Sequence, residues 1–215
     1  SNAAMQSYTG QDDLAAAVAE LSRRDARLGL LAARHGVPPL RRMEPGLASL
    51  LRIVTDQLIS LKAAAAIWQR LEAGLPMGDA NSLAAASEDR LRGFGLSGGK
   101  ARSFRAIAQA VVAGGLDVQA LELLDDATVL KRLQSIHGIG PWTAQIYLLM
   151  ALNRSDGWPA EDLALQMAIQ DLYGLPGRPS PAAMRAMAEA WRPWRGAAAH
   201  LLWRHYRDLR GIAPD

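Results

Sequence analysis

Two short stretches of the chain hold residue types and spacings that could do chemistry. The first runs Leu133-Gln134-Ser135-Ile136-His137-Gly138-Ile139-Gly140-Pro141-Trp142-Thr143-Ala144, with two glycines between the end of one helical pattern and the start of another. Glycine permits positive φ and carries no Cβ, and proline suits the first helical position. The second helix therefore begins with unpaired N–H groups facing outward. Such a helix start attracts anions, phosphate above all. No Lys-Ser or Lys-Thr pair follows, and position 143 is threonine where a third glycine would stand, so neither a nucleotide P-loop nor a dinucleotide fingerprint fits. The better reading is a helix-hairpin-helix that holds a nucleic-acid backbone.

The second stretch is Gly157-Trp158-Pro159-Ala160-Glu161-Asp162, an acidic pair between a turn and an apolar helical pattern. Asp162 is the better N-cap, because Leu163, Leu165, Met167 and Ile169 follow it. A cap can be purely structural. The same geometry also fixes a carboxylate beside the helix dipole, where it can serve as a base or as a counter-charge for a developing cation. Tryptophan is frequent, six residues against two phenylalanines. Trp203 lies about two and a half turns beyond Trp194 and faces away from it, whereas Leu201 shares the Trp194 face. If Trp194 and Leu201 mark the core, Trp203 projects elsewhere. Trp142 shares a stripe with Ile146 and Met150, which plain packing would also explain. An aromatic-walled pocket with one carboxylate would suit a flat, electron-poor ring.

These residues need rigid elements to position them, and the chain reads as all-α. Alanine and leucine dominate, and helical spacing predicts helices over 11–34, 45–59, 62–73, 87–94, 97–114, 125–135, 141–152, 162–173, 181–191 and 195–209. The expected architecture is a two-lobed helical bundle with a cleft between lobes, the hairpin motif at about 126–152. Residues 4–215 read as a single helical unit whose lobes the sequence does not separate. In the helix over 45–59 the apolar positions Leu47, Leu50, Leu51, Val54 and Leu58 form a buried stripe, which makes Leu58 ordinary core by spacing alone. The run from Gly93 to Ala101 invites a phosphate-loop reading and fails it. Phe94 stands where the first glycine belongs, Ala101 replaces the required hydroxyl, and Ser97 is better placed to cap the helix carrying Lys100, Arg102 and Arg105.

Composition removes several classes of function. At 215 residues and half apolar, the chain can bury a substantial core. It has no cysteine, which excludes disulfides, thiolate nucleophiles and any cysteine-ligated zinc or iron–sulfur cluster. His35, His137, His200 and His205 show no metal-ligand spacing. No apolar run approaches the roughly 20 residues of a membrane span, and the start of the chain lacks a secretory pattern, so a soluble, cytoplasmic protein is expected. Ser1-Asn2-Ala3 reads as an expression remnant. The net charge of +3 is modest, but Arg185, Arg192, Arg195, Arg204, Arg207 and Arg210 crowd the end of the chain. Arginine suits phosphate, and a solvated helical face would account for the same pattern.

Taken together, the hairpin, Trp142-Thr143-Ala144 and Pro159-x-x-Asp162 resemble the helix-hairpin-helix DNA glycosylases, in particular the 3-methyladenine DNA glycosylase II (alkylbase glycosylase) branch. Asp56 to Ala64, Gly95-Leu96-Ser97 with Lys100-Ala101, and Trp191 to Arg195 with Trp203 extend the similarity over roughly residues 45 to 208. The resemblance implies a monofunctional base-excision-repair enzyme that flips an alkylated purine from double-stranded DNA and hydrolyses its N-glycosidic bond. It makes Asp162 catalytic, Trp142, Trp203 and Ile146 pocket residues, and Gln57, Leu58, Gly138, Gly140 and Thr143 DNA-binding, with Leu58 as the wedge that fills the gap left by the flipped base. Trp142 occupies the position where lyase-competent relatives carry a Schiff-base lysine. The resemblance implies no required cofactor, with a Na⁺ or K⁺ ion on the main-chain carbonyls of Gln134, Ile136 and Gly138, and a monomer. At Ile146 the best-known bacterial members have an aromatic residue. The first 44 residues read as helical, so the minimal helical members are the nearer comparison. Two rivals stand beside this reading: a non-catalytic helix-hairpin-helix module that binds DNA structure, and a bifunctional glycosylase/lyase for oxidised bases.

Overall fold

Asp25 divides what the sequence reads as one helix over 11–34 into two, α1 (Gln11–Arg24) and α2 (Ala26–His35). At φ −136° and ψ 111° it leaves the helical conformation, and its carboxylate caps α2 by accepting from the N–H groups of Arg27 and Leu28 at 2.9 and 3.2 Å. The same carboxylate accepts from the Tyr173 hydroxyl at 2.5 Å and the Trp191 indole at 3.1 Å. Burial alone would raise the Asp25 carboxyl, but hydrogen bonds from Tyr173, Leu28, Trp191 and Arg27 outweigh it and hold the group below its ordinary value. The apolar periodicity runs on through this position and conceals the break.

The computed structural model describes residues 7–212; Ser1, Asn2 and Ala3 lie outside them. Among the described residues the regular elements are all helical, as the all-α reading expects, and an isolated antiparallel bridge joins Ser7 to Arg154. The chain divides into two compact units. Residues 43–147 form the central one, and the segments before and after it form the other.

The central unit holds α3 (Leu47–Asp56), α4 (Leu61–Gly74), α5 (Ala80–Ala85), α6 (Glu88–Gly93), α7 (Gly98–Val112), a 3₁₀ turn over Gln119–Leu123, α8 (Asp126–Gln134) and α9 (Pro141–Ile146). Helix α3 packs against α4, α7 and α9, around Leu50, Leu51, Val54, Phe104 and Ile107, all fully buried. Ser60, Asp79, Ser87, Ser97 and Asp125 cap the following helices with their side chains, Ser97 on α7 as its position implies. The helix expected over 141–152 stays α-helical only to Ile146 and then widens into a π turn, Tyr147–Ala151. The wider turn moves Met150 off the stripe that α-helical spacing draws through Trp142 and Ile146. The Tyr147 hydroxyl accepts from the Gly46 N–H at 3.0 Å and so ties this segment to the start of α3.

In the second unit α1 and α2 join α10 (Leu163–Tyr173), α11 (Pro181–Ala188), a 3₁₀ turn over Glu189–Trp191, and α12 (Arg195–Leu209). Helix α12 packs against α1, α2 and α10 and buries much of its length. The main aromatic contact of this core is Trp158 against Trp191, edge to face at 5.5 Å, and the Trp158 indole donates to the Met184 carbonyl at 3.2 Å. Trp194, which with Leu201 would mark the core, is only half-buried at the start of α12, whereas Leu201 is fully buried.

Asp25→Ala removes a helix cap and leaves Tyr173 and Trp191 without an acceptor, so unfolding by denaturant should show a loss of about 2–4 kcal/mol at neutral pH. Because the folded carboxyl is held low, its contribution is fully present above the unfolded value near 3.9 and is lost as pH falls through the folded value. The gap between wild type and variant should therefore close in acid.

Candidate functional site

Asp162 caps α10. Its Oδ1 accepts from the Leu165 N–H at 2.9 Å and from the Trp203 indole N–H at 3.2 Å. Trp203 lies on α12 with only 9% of its surface exposed, so the indole holds the carboxylate from a fixed position. Two close backbone approaches set this arrangement. A Cβ on Gly157 would lie 2.8 Å from the Leu149 Cβ, and one on Gly196 would lie 2.7 Å from both the Leu149 Cδ1 and the Ser155 carbonyl. The Gly196 N–H donates to that carbonyl at 2.8 Å. Arg195 grips Asp156 through Nε and Nη2 at 2.9 and 3.0 Å, which ties the start of α12 to the loop leading into Asp162. On the other side of that loop, the Gln166 amide donates to the Ala160 carbonyl at 2.9 Å. Glu161, the other half of the acidic pair, is engaged by Arg185 at 2.6 Å. Asp162 is left partly exposed, oriented, and beside the positive end of α10.

The hairpin lies in the central unit, between α8 and α9. Gly138 has φ 91°, and a Cβ there would sit 2.1 Å from Ser103 Oγ and 2.5 Å from Ser103 Cβ. Only glycine lets the hairpin pack onto α7 at that distance. Gly140 differs from the expectation: at φ −92° its backbone suits any residue, and a Cβ would meet nothing within 4 Å. Its bare surface answers no demand inside the protein.

At the end of α3 the structure departs from spacing altogether. The helix stops at Asp56, and the buried stripe ends with Val54 and Thr55. Lys100 Nζ donates to the carbonyls of Thr55 at 2.8 Å and Gln57 at 2.5 Å, closing off the helix end. Burial pushes the Lys100 ammonium down, with the Asp56 charge opposing it. The Gln57 amide donates to the hydroxyl of Thr143, which is buried under the hairpin helix. The chain then turns through Leu58 at φ 58°, a left-handed conformation that costs a leucine roughly 1–2 kcal/mol. Leu58 is fully exposed, not core, and Ile59 and Leu61 beside it are also exposed. Trp142 is half-buried and Ile146 buried, both in the central unit. The hairpin carbonyl of Ile136 accepts from the Ile139 N–H at 3.1 Å.

The arginines near the end of the chain differ in what they meet, and Arg210 lies over the Tyr206 ring at 5.9 Å. Arg185 pairs with Glu161, Arg192 with Glu189 and Asp156, and Arg195 with Asp156, so these three serve the fold. Arg204 and Arg207 instead line a cavity. Sequence spacing gave no sign that His35 and His205 meet, with Nε2 and Nδ1 3.4 Å apart, or that the other His205 nitrogen lies 2.8 Å from Asp171. Their partners lie on separate helices, which linear spacing cannot reveal.

A helical fold with a glycine hairpin, a pinned capping aspartate and an exposed apolar turn defines a known class. The HhH-GPD superfamily of base excision DNA repair proteins matches residues 51–195, and the chain belongs to it. Within that class, DNA-3-methyladenine glycosylase 1 of Schizosaccharomyces pombe is 32% identical over 159 residues, covering 72% of this chain and 70% of that protein. DNA-3-methyladenine glycosylase 2 of Escherichia coli is 33% identical over 133 residues, covering 62% of this chain and 43% of that protein. The solved structure of the S. pombe 3-methyladenine DNA glycosylase in complex with abasic DNA matches with a TM-score of 0.80 and 31% identity, over 87% of this chain and 95% of that one. An 8-oxoguanine glycosylase/lyase of Clostridium acetobutylicum shares the fold at a TM-score of 0.77 and 17% identity, over 91% of this chain and 70% of that one.

The two hairpin glycines should respond oppositely to alanine. Gly138→Ala should cost about 2–4 kcal/mol of stability through the positive φ and the overlap with Ser103. Gly140→Ala should leave stability within about 0.5 kcal/mol and weaken binding to duplex DNA. Unchanged DNA affinity in the second variant would remove Gly140 from the binding surface.

Proposed function

We propose that this chain is a monofunctional alkylbase DNA glycosylase of the 3-methyladenine DNA glycosylase II type. It extrudes alkylated purines, such as 3-methyladenine and 7-methylguanine, from duplex DNA and hydrolyses the N-glycosidic bond to leave an abasic site. The observation that carries this reading is the Asp162 carboxylate, held at the start of α10 by the Leu165 N–H and the Trp203 indole.

The chemistry asks little of an acid. A 3- or 7-alkylpurine already bears positive charge, so it leaves with the electron pair of the broken C1′–N bond as a neutral base. The sugar passes through an oxocarbenium-like state, which the fixed carboxylate stabilises. Water then attacks C1′ and gives up a proton, with Asp162 as the general base. Leu58 supplies the apolar side chain that fills the space of the extruded nucleotide, a use that accounts for a fully exposed leucine in a left-handed turn. The hairpin, through Gly138, Gly140 and the segment reaching Thr143, takes the DNA backbone, and Gln57 sets the turn from which Leu58 projects. Trp142, Ile146 and Trp203 provide apolar and aromatic surface for the base.

The neutral carbonyls of Gln134, Ile136 and Gly138 are hard oxygen donors without charge, a set that suits a monovalent cation and not a transition metal. When bound, the ion adds positive charge to the backbone-holding hairpin. A DNA substrate implies action where the chromosome lies, and one copy of the chain carries all the residues invoked.

Trp142 in place of a Schiff-base lysine supports hydrolysis without strand cleavage. Of the lysines, Lys100 is already engaged by the carbonyls at the end of α3.

Asp162→Asn tests the mechanism cleanly, because asparagine caps a helix as well as aspartate and keeps an oxygen for Trp203. Release of 3-methyladenine from alkylated DNA should fall about 10²–10³-fold, with the melting temperature nearly unchanged. A variant with full activity would remove Asp162 from the mechanism, and a wild type that binds damaged and intact duplexes equally and releases no base would leave only the non-catalytic module. Borohydride reduction on substrate DNA should trap no covalent complex; a trapped complex would assign the chain to the bifunctional class.

A further inference from the structure

Helices α2 and α12 pack against each other; α2 ends at His35, and α12 ends at Leu209, about one turn beyond His205. Among the described residues, one ligand atom from each of His35, His205 and Asp208 lies within 4.8 Å of the other two. His205 and Asp208 are three positions apart on α12 and share a face, while His35 meets them from α2. Linear spacing conceals the set, because His35 and His205 are 170 residues apart. The tautomer of His205 follows from its surroundings. Its Nε2 lies 2.8 Å from the Asp171 carboxylate on α10, and a carboxylate only accepts, so that nitrogen bears a hydrogen. In the neutral ring the lone pair is then on Nδ1, which lies 3.4 Å from His35 Nε2. His205 is 3% exposed, so Asp171 orients an almost wholly buried imidazole, as carboxylates do behind metal-ligating histidines. The 3.4 Å separation is long for a hydrogen bond and suits a shared ion better. Two nitrogens at about 2.0–2.1 Å from a tetrahedral zinc stand about 3.3 Å apart, whereas ligands at right angles would stand about 2.9 Å apart.

We infer that His35 Nε2, His205 Nδ1 and the Asp208 carboxylate form a tetrahedral binding site for a divalent transition ion of the zinc class, with water as the fourth ligand. Two imidazoles disfavour magnesium and calcium, which take oxygen ligands. Charge acts from both sides. Arg204 and Arg34 set positive charge near His35, against a cation. The carboxylates of Asp208 and Asp171 oppose them, and His35 and Asp208 each lie in the last turn of a helix, at the negative end of its dipole. Asp208 is exposed, so its side chain can close on the ion without repacking the core. The bound ion clamps α2 to α12, the helix that carries Trp203 two residues before His205.

Co²⁺ and Zn²⁺ titrated in turn into the chelator-treated full chain, without DNA, test the assignment. Co²⁺ should develop the intense visible bands of a tetrahedral complex, saturating at one ion per chain. Zn²⁺ should bleach those bands and raise the melting temperature, since it binds the folded state. Asp171→Asn, which touches no ion, should weaken Zn²⁺ binding by about tenfold or more. His35→Gln and Asp208→Asn, each missing a ligand, should weaken it further while keeping wild-type circular dichroism. Should His35→Gln not fold, Asp208→Asn at its exposed position carries the same decision. Absence of saturable Zn²⁺ binding, the weak bands of octahedral Co²⁺, or a folded ligand variant that binds Zn²⁺ as wild type does would each overturn the site. No base release enters these measurements, so the metal site and the glycosylase reading stand or fall separately.

Discussion

A carboxylate that is fixed yet stays partly exposed is the constraint on which the unit containing Asp162 depends. Capping supplies the fixing without burial: one oxygen takes the Leu165 N–H and the Trp203 indole, while the residue itself stays partly exposed. Everything around it limits the freedom of two segments, the loop before α10 and the start of α12. Gly157 and Gly196 bring both against Leu149, the Asp156–Arg195 fork joins them, and Trp158 anchors the loop through Trp191 and the Met184 carbonyl. The orientation of Asp162 therefore comes from packing over many residues and not from its own hydrogen bonds alone.

The central unit solves the opposite problem, holding an apolar side chain out in water. A leucine at φ 58° persists only if its flanks are over-determined. Before it, Lys100 ties two carbonyls and Gln57 reaches to Thr143; after it, Ser60 caps α4. The hairpin is part of the same framework, since Thr143 belongs to α9 and Gly138 lies against Ser103 on α7, one turn from Lys100. Strain in one residue is thus sustained by elements that themselves have ordinary geometry.

How much of this was legible in the sequence varies with the range of the interaction responsible. Most helices followed from apolar spacing and from caps such as Ser97 and Asp162, because those signals are local. Helix α5 escaped, since six residues with Leu83 alone buried show no periodicity. The break at Asp25 escaped because its reason lies in Tyr173 and Trp191, far along the chain. Leu58 was misplaced by spacing, as an uninterrupted apolar pattern does not record where Lys100 ends a helix. Gly138 and Gly140 look equivalent in sequence, yet one is required by Ser103 and the other by nothing within the chain.

Charge follows the same rule. Six arginines near the end of the chain suggested phosphate as a group, but their roles are decided singly by what each meets. Arg185, Arg192 and Arg195 find carboxylates and are neutralised, so they add little to the field that an incoming anion would feel. Arg204 keeps a buried nitrogen without an acceptor, and His200 beside it is held neutral by burial and by Arg41. A modest net charge therefore says little about the local field, because field strength depends on what each cation meets in a low-dielectric wall and not on how many there are.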